Sequence, residues 1–128
     1  MIKITRESLD KGIAVAKTGN SIADISKAVQ AHAEAAGFGV VRDLVGHGVG
    51  YEVHEEPRVP HYFNPNHKDV KLEEGMVLAI EPMLNVGDPA IKTKKDGWAI
   101  VAADGSLCAH FENTVVVRKD GGEVLTKA

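Results

Sequence analysis

The stretch GHGVGYEVHEEP, residues 46–57, sets one histidine among three glycines and a second directly before two glutamates and a proline. Glycine weakens an extended segment, so its presence there points to a bulge or to a close neighbour. That neighbour can be another backbone, a substrate or a metal site. Glu81 adds to the question, because it follows the apolar run Met76-Val77-Leu78-Ala79-Ile80 and precedes Pro82. An ionised carboxylate at the end of a buried strand is costly unless a positive partner compensates it, and a metal ion would do so while keeping the group charged. Glu112 repeats the pattern between Phe111 and Thr114-Val115-Val116-Val117. Imidazole and carboxylates together suit divalent first-row metals, and the single cysteine, Cys108, argues against a structural zinc knot. The competing reading makes both glutamates solvated strand-end residues and His47 a packed or solvent-facing side chain.

His47 and His54 read as having different jobs. His47, flanked by glycines, can be approached closely, as a ligand must be. His54 can hydrogen-bond a substrate or steady developing charge. Seven positions separate them, so a regular strand would put them on opposite faces, and a turn or bulge must intervene if they share a site. The stretch is not the HExxH pattern of zinc proteases: Arg58 stands where the second histidine would be, and Pro57 forbids a helix interior. His61 and His67 fall in a Pro/Asn-rich stretch, residues 57–69, that reads as an irregular, solvated loop. His32 lies on a predicted helix. His110, two residues before Glu112, is expected to share its strand face, with an outer-shell role. Trp98 begins a strand after Asp96-Gly97 and reads as core, or as an aromatic wall for an apolar substrate side chain.

The elements that must position these residues follow from patterning. Leu9, Gly12, Ile13 and Ala16 fall on one helix face, and Thr18-Gly19-Asn20 interrupts the pattern. Ser21 and Asp24 form a carboxylate variant of the capping box ahead of a stripe of Ile22, Ile25 and Val29. Gly37 is a C-cap with Phe38 folding back on the last turn. Beyond Gly39 come short apolar runs at Val40-Val41, 76–80, 98–102 and 114–117. They are separated by Gly87-Asp88 and by Asp-Gly pairs that favour hairpins with both central positions at positive φ. The expected class is α+β: two N-terminal helices followed by an antiparallel sheet, in one domain over residues 1–128. A net charge of −3 argues against a nucleic-acid surface. No apolar run approaches membrane-spanning length, the start MIKITRESLDKG lacks a signal-peptide core, and one cysteine fits a reducing compartment. Cytoplasm is the expected location.

Several stretches carry a resemblance: AEAAGFGVVRDLVGHG, which runs into GHGVGYEVHEEP, then LEEGMVLAIEPML and KKDGWAIVAADGSLCAHFENTVVV. In that order and at similar spacing they resemble type I methionine aminopeptidases. Proline-directed aminopeptidases and creatinase, the wider relatives, share the pita-bread fold, and the Asp96-Gly97-Trp98 segment favours the methionine enzymes. The resemblance implies half of a pita-bread fold, and a two-metal site that activates water to remove N-terminal methionine from nascent chains. By motif, His47, Glu81 and Glu112 look like metal ligands, with Glu81 also the acid/base group and Glu112 the bridging carboxylate. His54 resembles the histidine that contacts the scissile amide, and Val53 and Trp98 would line the methionine pocket. The glycines would then clear room for the ligand histidine and the substrate backbone to meet. Val53 departs from the usual aromatic residue, and His110 and Asn113 depart from common choices beside the bridging glutamate.

Family members also carry two metal-binding aspartates and a further histidine upstream. Asp10, Asp24 and Asp43 do not sit in that strand pattern. The chain therefore resembles a C-terminal half with three of the five expected protein ligands. The expectation is a truncated enzyme holding at most one cobalt, manganese, iron or zinc ion weakly, and inactive or slow alone. It would pair with an N-terminal half or with a second copy. The alternative is a catalytically silent half that binds peptide or self-associates, without nucleic-acid or membrane partners.

Overall fold

The computed structural model describes residues 1–127. Its two helices, α1 (Ile2–Val15) and α2 (Ile22–Ala35), turn the predicted apolar stripes toward each other. Leu9, Ile13, Ile22, Ile25 and Val29 are all buried. Gly12 sits where the helices cross: a Cβ there would lie 2.9 Å from Val29 Cγ2. At the start of α2 the Asp24 carboxylate accepts the Ser21 backbone N–H at 2.8 Å, as the capping pattern requires. Asp69, remote in sequence, accepts the Ala23 N–H at 3.0 Å and supplies a second cap. The helix ends on Gly37 at φ 81°, and Phe38 donates back to the Ala33 carbonyl at 3.1 Å.

Among the described residues, every pair of named strands in the remainder is antiparallel. Ten short strands follow: β1 (Gly39–Val40), β2 (Gly46–Gly48), β3 (Glu55–Val59), β4 (Val77–Ile80), β5 (Met83–Asn85), β6 (Ile91–Thr93), β7 (Ile100–Ala102), β8 (Cys108–His110), β9 (Asn113–Val117) and β10 (Gly122–Val124). They divide into a five-stranded sheet ordered β10-β9-β4-β2-β3, a three-stranded sheet β1-β5-β8 and the hairpin β6-β7. Leu78, Ile80, Val115 and Val117 of the larger sheet join the helical stripe in one core. Ala33, Val40 and Leu84 form a second, with Phe38 and Tyr62 packed on it. Successive strand residues face opposite ways. With Leu78 and Ile80 pointing into the core, Ala79 faces the other side of the sheet, and the site is built there.

Two expectations need correcting. Residues 57–69 are not all loop, because Pro57 to Val59 belong to β3, an edge strand where proline's missing N–H is tolerated. The Asp-Gly turns also differ from the expected type. Gly97, Gly105 and Gly121 take positive φ, but no non-glycine residue among the described residues does. The aspartates instead act through their side chains, Asp96 accepting the N–H groups of Trp98 and Ala99 and Asp104 that of Ser106.

Candidate metal centre

The register of the five-stranded sheet brings three donors together. His47 on β2 lies opposite Ala79 on β4, and β4 pairs with β9 through Ala79↔Thr114 and Ile80↔Asn113. Carried one residue past the strand ends, the same register sets Glu81 against Glu112. Directly opposed residues share a face, so His47, Glu81 and Glu112 converge on the side away from the helices. One donor atom from each lies within 4.8 Å of the others. His47 and Glu81 are sheltered, with side chains 14% and 13% exposed, whereas Glu112 stands at the open margin.

His47 is prepared for a ligand's task. Its Nδ1 lies 2.8 Å from the Gly48 carbonyl. A carbonyl can only accept, so Nδ1 carries a proton, which leaves Nε2 as the ring nitrogen that can serve as a ligand. Nε2 in turn lies 3.4 Å from Glu81 Oε1. The donor set is one neutral imidazole and two carboxylates, with two of the three sheltered from water, which fits a divalent first-row ion.

His54 is brought to the same place. The chain leaves β2, turns through residues 49–54 and returns as β3, with a register shift between Gly46 and Gly48. This irregularity overcomes the odd spacing and sets the His54 ring 4.2 Å from that of His47, tilted by 49°. The glycines make room chiefly for backbone. A Cβ on Gly46 would strike the Ala79 carbonyl oxygen, and one on Gly48 the Glu56 carbonyl oxygen. Strand packing, which lets β4 and β3 flank His47 closely, is therefore what excludes side chains at those two positions.

The other predicted site residues are placed differently. Val53 is exposed on the loop that carries His54, and Trp98 is 88% exposed at the β6-β7 turn. The core role expected for Trp98 is not found, because the Asp96 carboxylate binds its backbone into the turn rather than into a strand. His110 ends β8 in the three-stranded sheet, so it does not share a strand with Glu112. Its Nε2 nonetheless lies 3.3 Å from Glu81 Oε2, which makes it a neighbour of the cluster. Asn113 donates to Thr126 Oγ1 at 3.0 Å and tethers the segment that follows β10 in the chain.

Sequence reasoning missed His61. Expected in solvent, it is 1% exposed, and its Nε2 accepts the Glu81 backbone N–H at 3.0 Å. Burial, reinforced by nearby His110, pushes its imidazole down to about 3. The apolar neighbours Val59, Pro60 and Tyr62 were the available signal. His67 is exposed as expected, and His32 lies on α2 with its Nε2 3.0 Å from Glu7 Oε2. A concavity of about 880 Å³ lies elsewhere, between the start of α2 and residues 56–70. It contains none of the three clustered donors, so the metal-type chemistry does not coincide with it.

Comparison with known proteins gives a consistent picture. The model of metallopeptidase family M24 matches residues 1–119. A methionine aminopeptidase of Clostridium acetobutylicum is 52% identical over 126 residues, 98% of this chain and 50% of that protein. Methionine aminopeptidase 1 of Bacillus subtilis is 48% identical over 127 residues, 99% of this chain and 51% of that protein. The crystal structure of a methionine aminopeptidase from Thermotoga maritima superposes with a TM-score of 0.92 at 48% identity, covering 98% of this chain and 50% of that one. The chain thus spans about half the length of the relatives it matches.

Proposed function

The chain belongs to metallopeptidase family M24, and on that premise we propose that it serves the metal-dependent removal of N-terminal methionine from peptides. The observation that carries this reading is the convergence of His47, Glu81 and Glu112 donor atoms within 4.8 Å. When bound, a divalent ion supplies Lewis-acid polarisation of the substrate carbonyl. Cobalt, manganese, iron and zinc all suit the donor set, and three donors hold one such ion weakly.

The residues of the chain divide the remaining work. His47 and Glu81 anchor the ion from sheltered positions, and Glu112 completes the set from the open side. Glu81 also takes the proton of the attacking water and returns it to the leaving amine, a task for a carboxylate held beside the reacting atoms. His54, its ring tilted against that of His47, donates to the carbonyl oxygen as negative charge develops on it. Val53 and Trp98 flank the methionine side chain. The proposed compartment is the cytoplasm; no helix among the described residues is long and apolar enough to cross a membrane.

Because the chain spans about half of its relatives' length, full turnover is proposed to need a partner, either the complementary half of the fold or a second copy. Exposed Tyr51, Val53, Trp98 and Leu107 are the apolar surface such a partner would cover. Cleavage of a Met-Ala-Ser peptide, measured with and without manganese and with and without a separately made complementary half, tests this. Release of methionine should require metal, rise with the second half and fall by orders of magnitude in Glu81→Gln. Release that persists in a chelator, or in that variant, would refute the assignment.

A further inference from the structure

We infer that His61 is a positioning residue of the Glu81 site: its buried imidazole supplies the acceptor that closes the end of β4 and fixes how Glu81 leaves the sheet. The inference rests on the reading of Glu81 as a metal ligand. The register explains why an acceptor is needed. His47 lies opposite Ala79, so the β2 partner of Glu81 would be residue 45, one short of the strand's first residue, Gly46. The ladder has ended there, and Pro82 beyond has no N–H to give. The Glu81 N–H is therefore the last backbone donor of this segment before the chain turns into β5. An unpaired buried N–H is costly, and His61 Nε2 accepts it at 3.0 Å.

The residues on either side of His61 are anchored, while its buried ring Nδ1 has no hydrogen-bond partner among the described residues. The carbonyl of Pro60 accepts the Ser26 hydroxyl of α2, and Tyr62 packs on the cluster of Ala33, Val40 and Leu84. A ring that is 1% exposed between two such anchors cannot swing without disturbing both cores. A backbone N–H only donates, so His61 Nε2 is bare and the proton resides on Nδ1. A chain of contacts thus runs from α2 through Pro60 and His61 to the backbone of Glu81. It orients a metal-binding carboxylate from behind without touching the ion. Outer hydrogen bonds of this kind change metal affinity by about 10–100-fold when removed.

The test is calorimetric titration of the whole chain with manganese, comparing wild type, His61→Leu and His61→Gln, with circular dichroism to verify folding. His61→Leu removes the acceptor and should weaken binding by about tenfold or more. His61→Gln offers an amide oxygen near the place of Nε2 and should stay within about threefold of wild type. Folded His61→Leu with wild-type affinity overturns the inference, as does folded His61→Gln that binds as weakly as the leucine variant. Nitrogen-15 spectra of the metal-free wild type provide a measurement independent of any variant's folding. A proton on Nδ1 and an exchange-protected Glu81 amide support the inference, and a proton on Nε2 overturns it. Wild type that binds no manganese refutes Glu81 as a ligand, while the spectra still report on the hydrogen bond, so the two failures are distinguishable.

Discussion

Glu112→Gln should make the metal-free protein more stable and the metal-loaded protein less so. The donor oxygens of Glu81 and Glu112 lie no more than 4.8 Å apart. Two negative charges at that separation repel by about 0.9 kcal/mol in a water-like dielectric and about 3.5 kcal/mol at an effective dielectric of about 20. Glu81 is sheltered but Glu112 is open to water, so a value of about 1–2 kcal/mol fits this mixed surrounding. Removing one charge at nearly constant volume relieves that repulsion. For a chain of this size each kcal/mol moves the melting temperature by roughly 3–5 °C, so in chelator the variant should melt about 3–10 °C higher. Metal reverses the order. An ion at about one hundred times its dissociation constant stabilises the folded state by about 2.7 kcal/mol, and the variant, missing one of three donors, forgoes most of this. Paired thermal melts in EDTA and in manganese, at low salt, are the assay. A variant less stable than wild type in EDTA would refute the repulsion, and an equal manganese-induced rise in both proteins would remove Glu112 from the site.

Three further outcomes follow from other parts of the molecule. His54→Ala should leave manganese affinity within about threefold, since the ring lies tilted against His47 and is not one of the three clustered donors, while methionine release by the complemented enzyme slows; a collapse of affinity in calorimetry would make His54 a ligand instead. Gly12→Ala should lower the unfolding free energy in urea by about 1 kcal/mol, because overpacking against the fully buried Val29 costs about 1–3 kcal/mol and outweighs a helix-propensity gain of about 1; a stabilised variant would contradict the close crossing. Asp69→Ala should cost about 1 kcal/mol at neutral pH by uncapping α2. Burial opposes ionisation of this carboxyl, but the Ser21 hydroxyl, the Ala23 and Val70 N–H groups and Lys71 together hold it below the usual carboxylate range. A depressed folded value stabilises above the unfolded value and is lost as pH falls through the folded one. The gap between the wild-type and Asp69→Ala proteins should therefore stay constant above the carboxylate range and close below it, and a gap that persists at strongly acid pH would show that something other than the charge is responsible.

What was legible in the sequence is what local chemistry controls. The helical stripes, the Ser21–Asp24 cap and the Gly37 stop depend on residues within a turn of each other, and all three are found as read. Glu81 and Glu112 stood out because a carboxylate adjoining an apolar run needs a reason to be there. Their convergence did not follow from spacing, since it depends on the β4-β9 register across thirty-one residues of chain. The error over His61 is of the same origin. A histidine among prolines and asparagines looks solvated until the distant Ser26 is seen to bind the Pro60 carbonyl beside it, and the neighbouring Tyr62 to pack on Ala33, Val40 and Leu84. Trp98 failed in the opposite sense, because large aromatic area suggested a core that the Asp96 turn does not permit.

The two ends of the proposed site differ in how far the chain alone prepares them. His47 and Glu81 are held by the sheet, by the Gly48 carbonyl and by His61, and little of either side chain meets water. Tyr51, Val53 and Trp98, by contrast, lie 71–105% exposed, on a loop and a hairpin turn with their side chains outside the core clusters. Rigid, sheltered donors favour ion binding because their ordering is already accomplished in folding. Apolar walls open to water give a methionine side chain little burial, and effective catalysis needs the substrate fixed near its attack geometry. The core that sustains the fold lies on the opposite face of the sheet from the donors, so folding should not depend on metal, and melts in EDTA should still show a cooperative transition. Weak binding of one ion should therefore be within reach of this chain alone, while turnover should depend on the partner that supplies the further ligands and covers the exposed walls. Measured on the chain with and without the complementary half, weak ion binding should be present in both cases, and kcat/KM should rise by orders of magnitude only when the half is added.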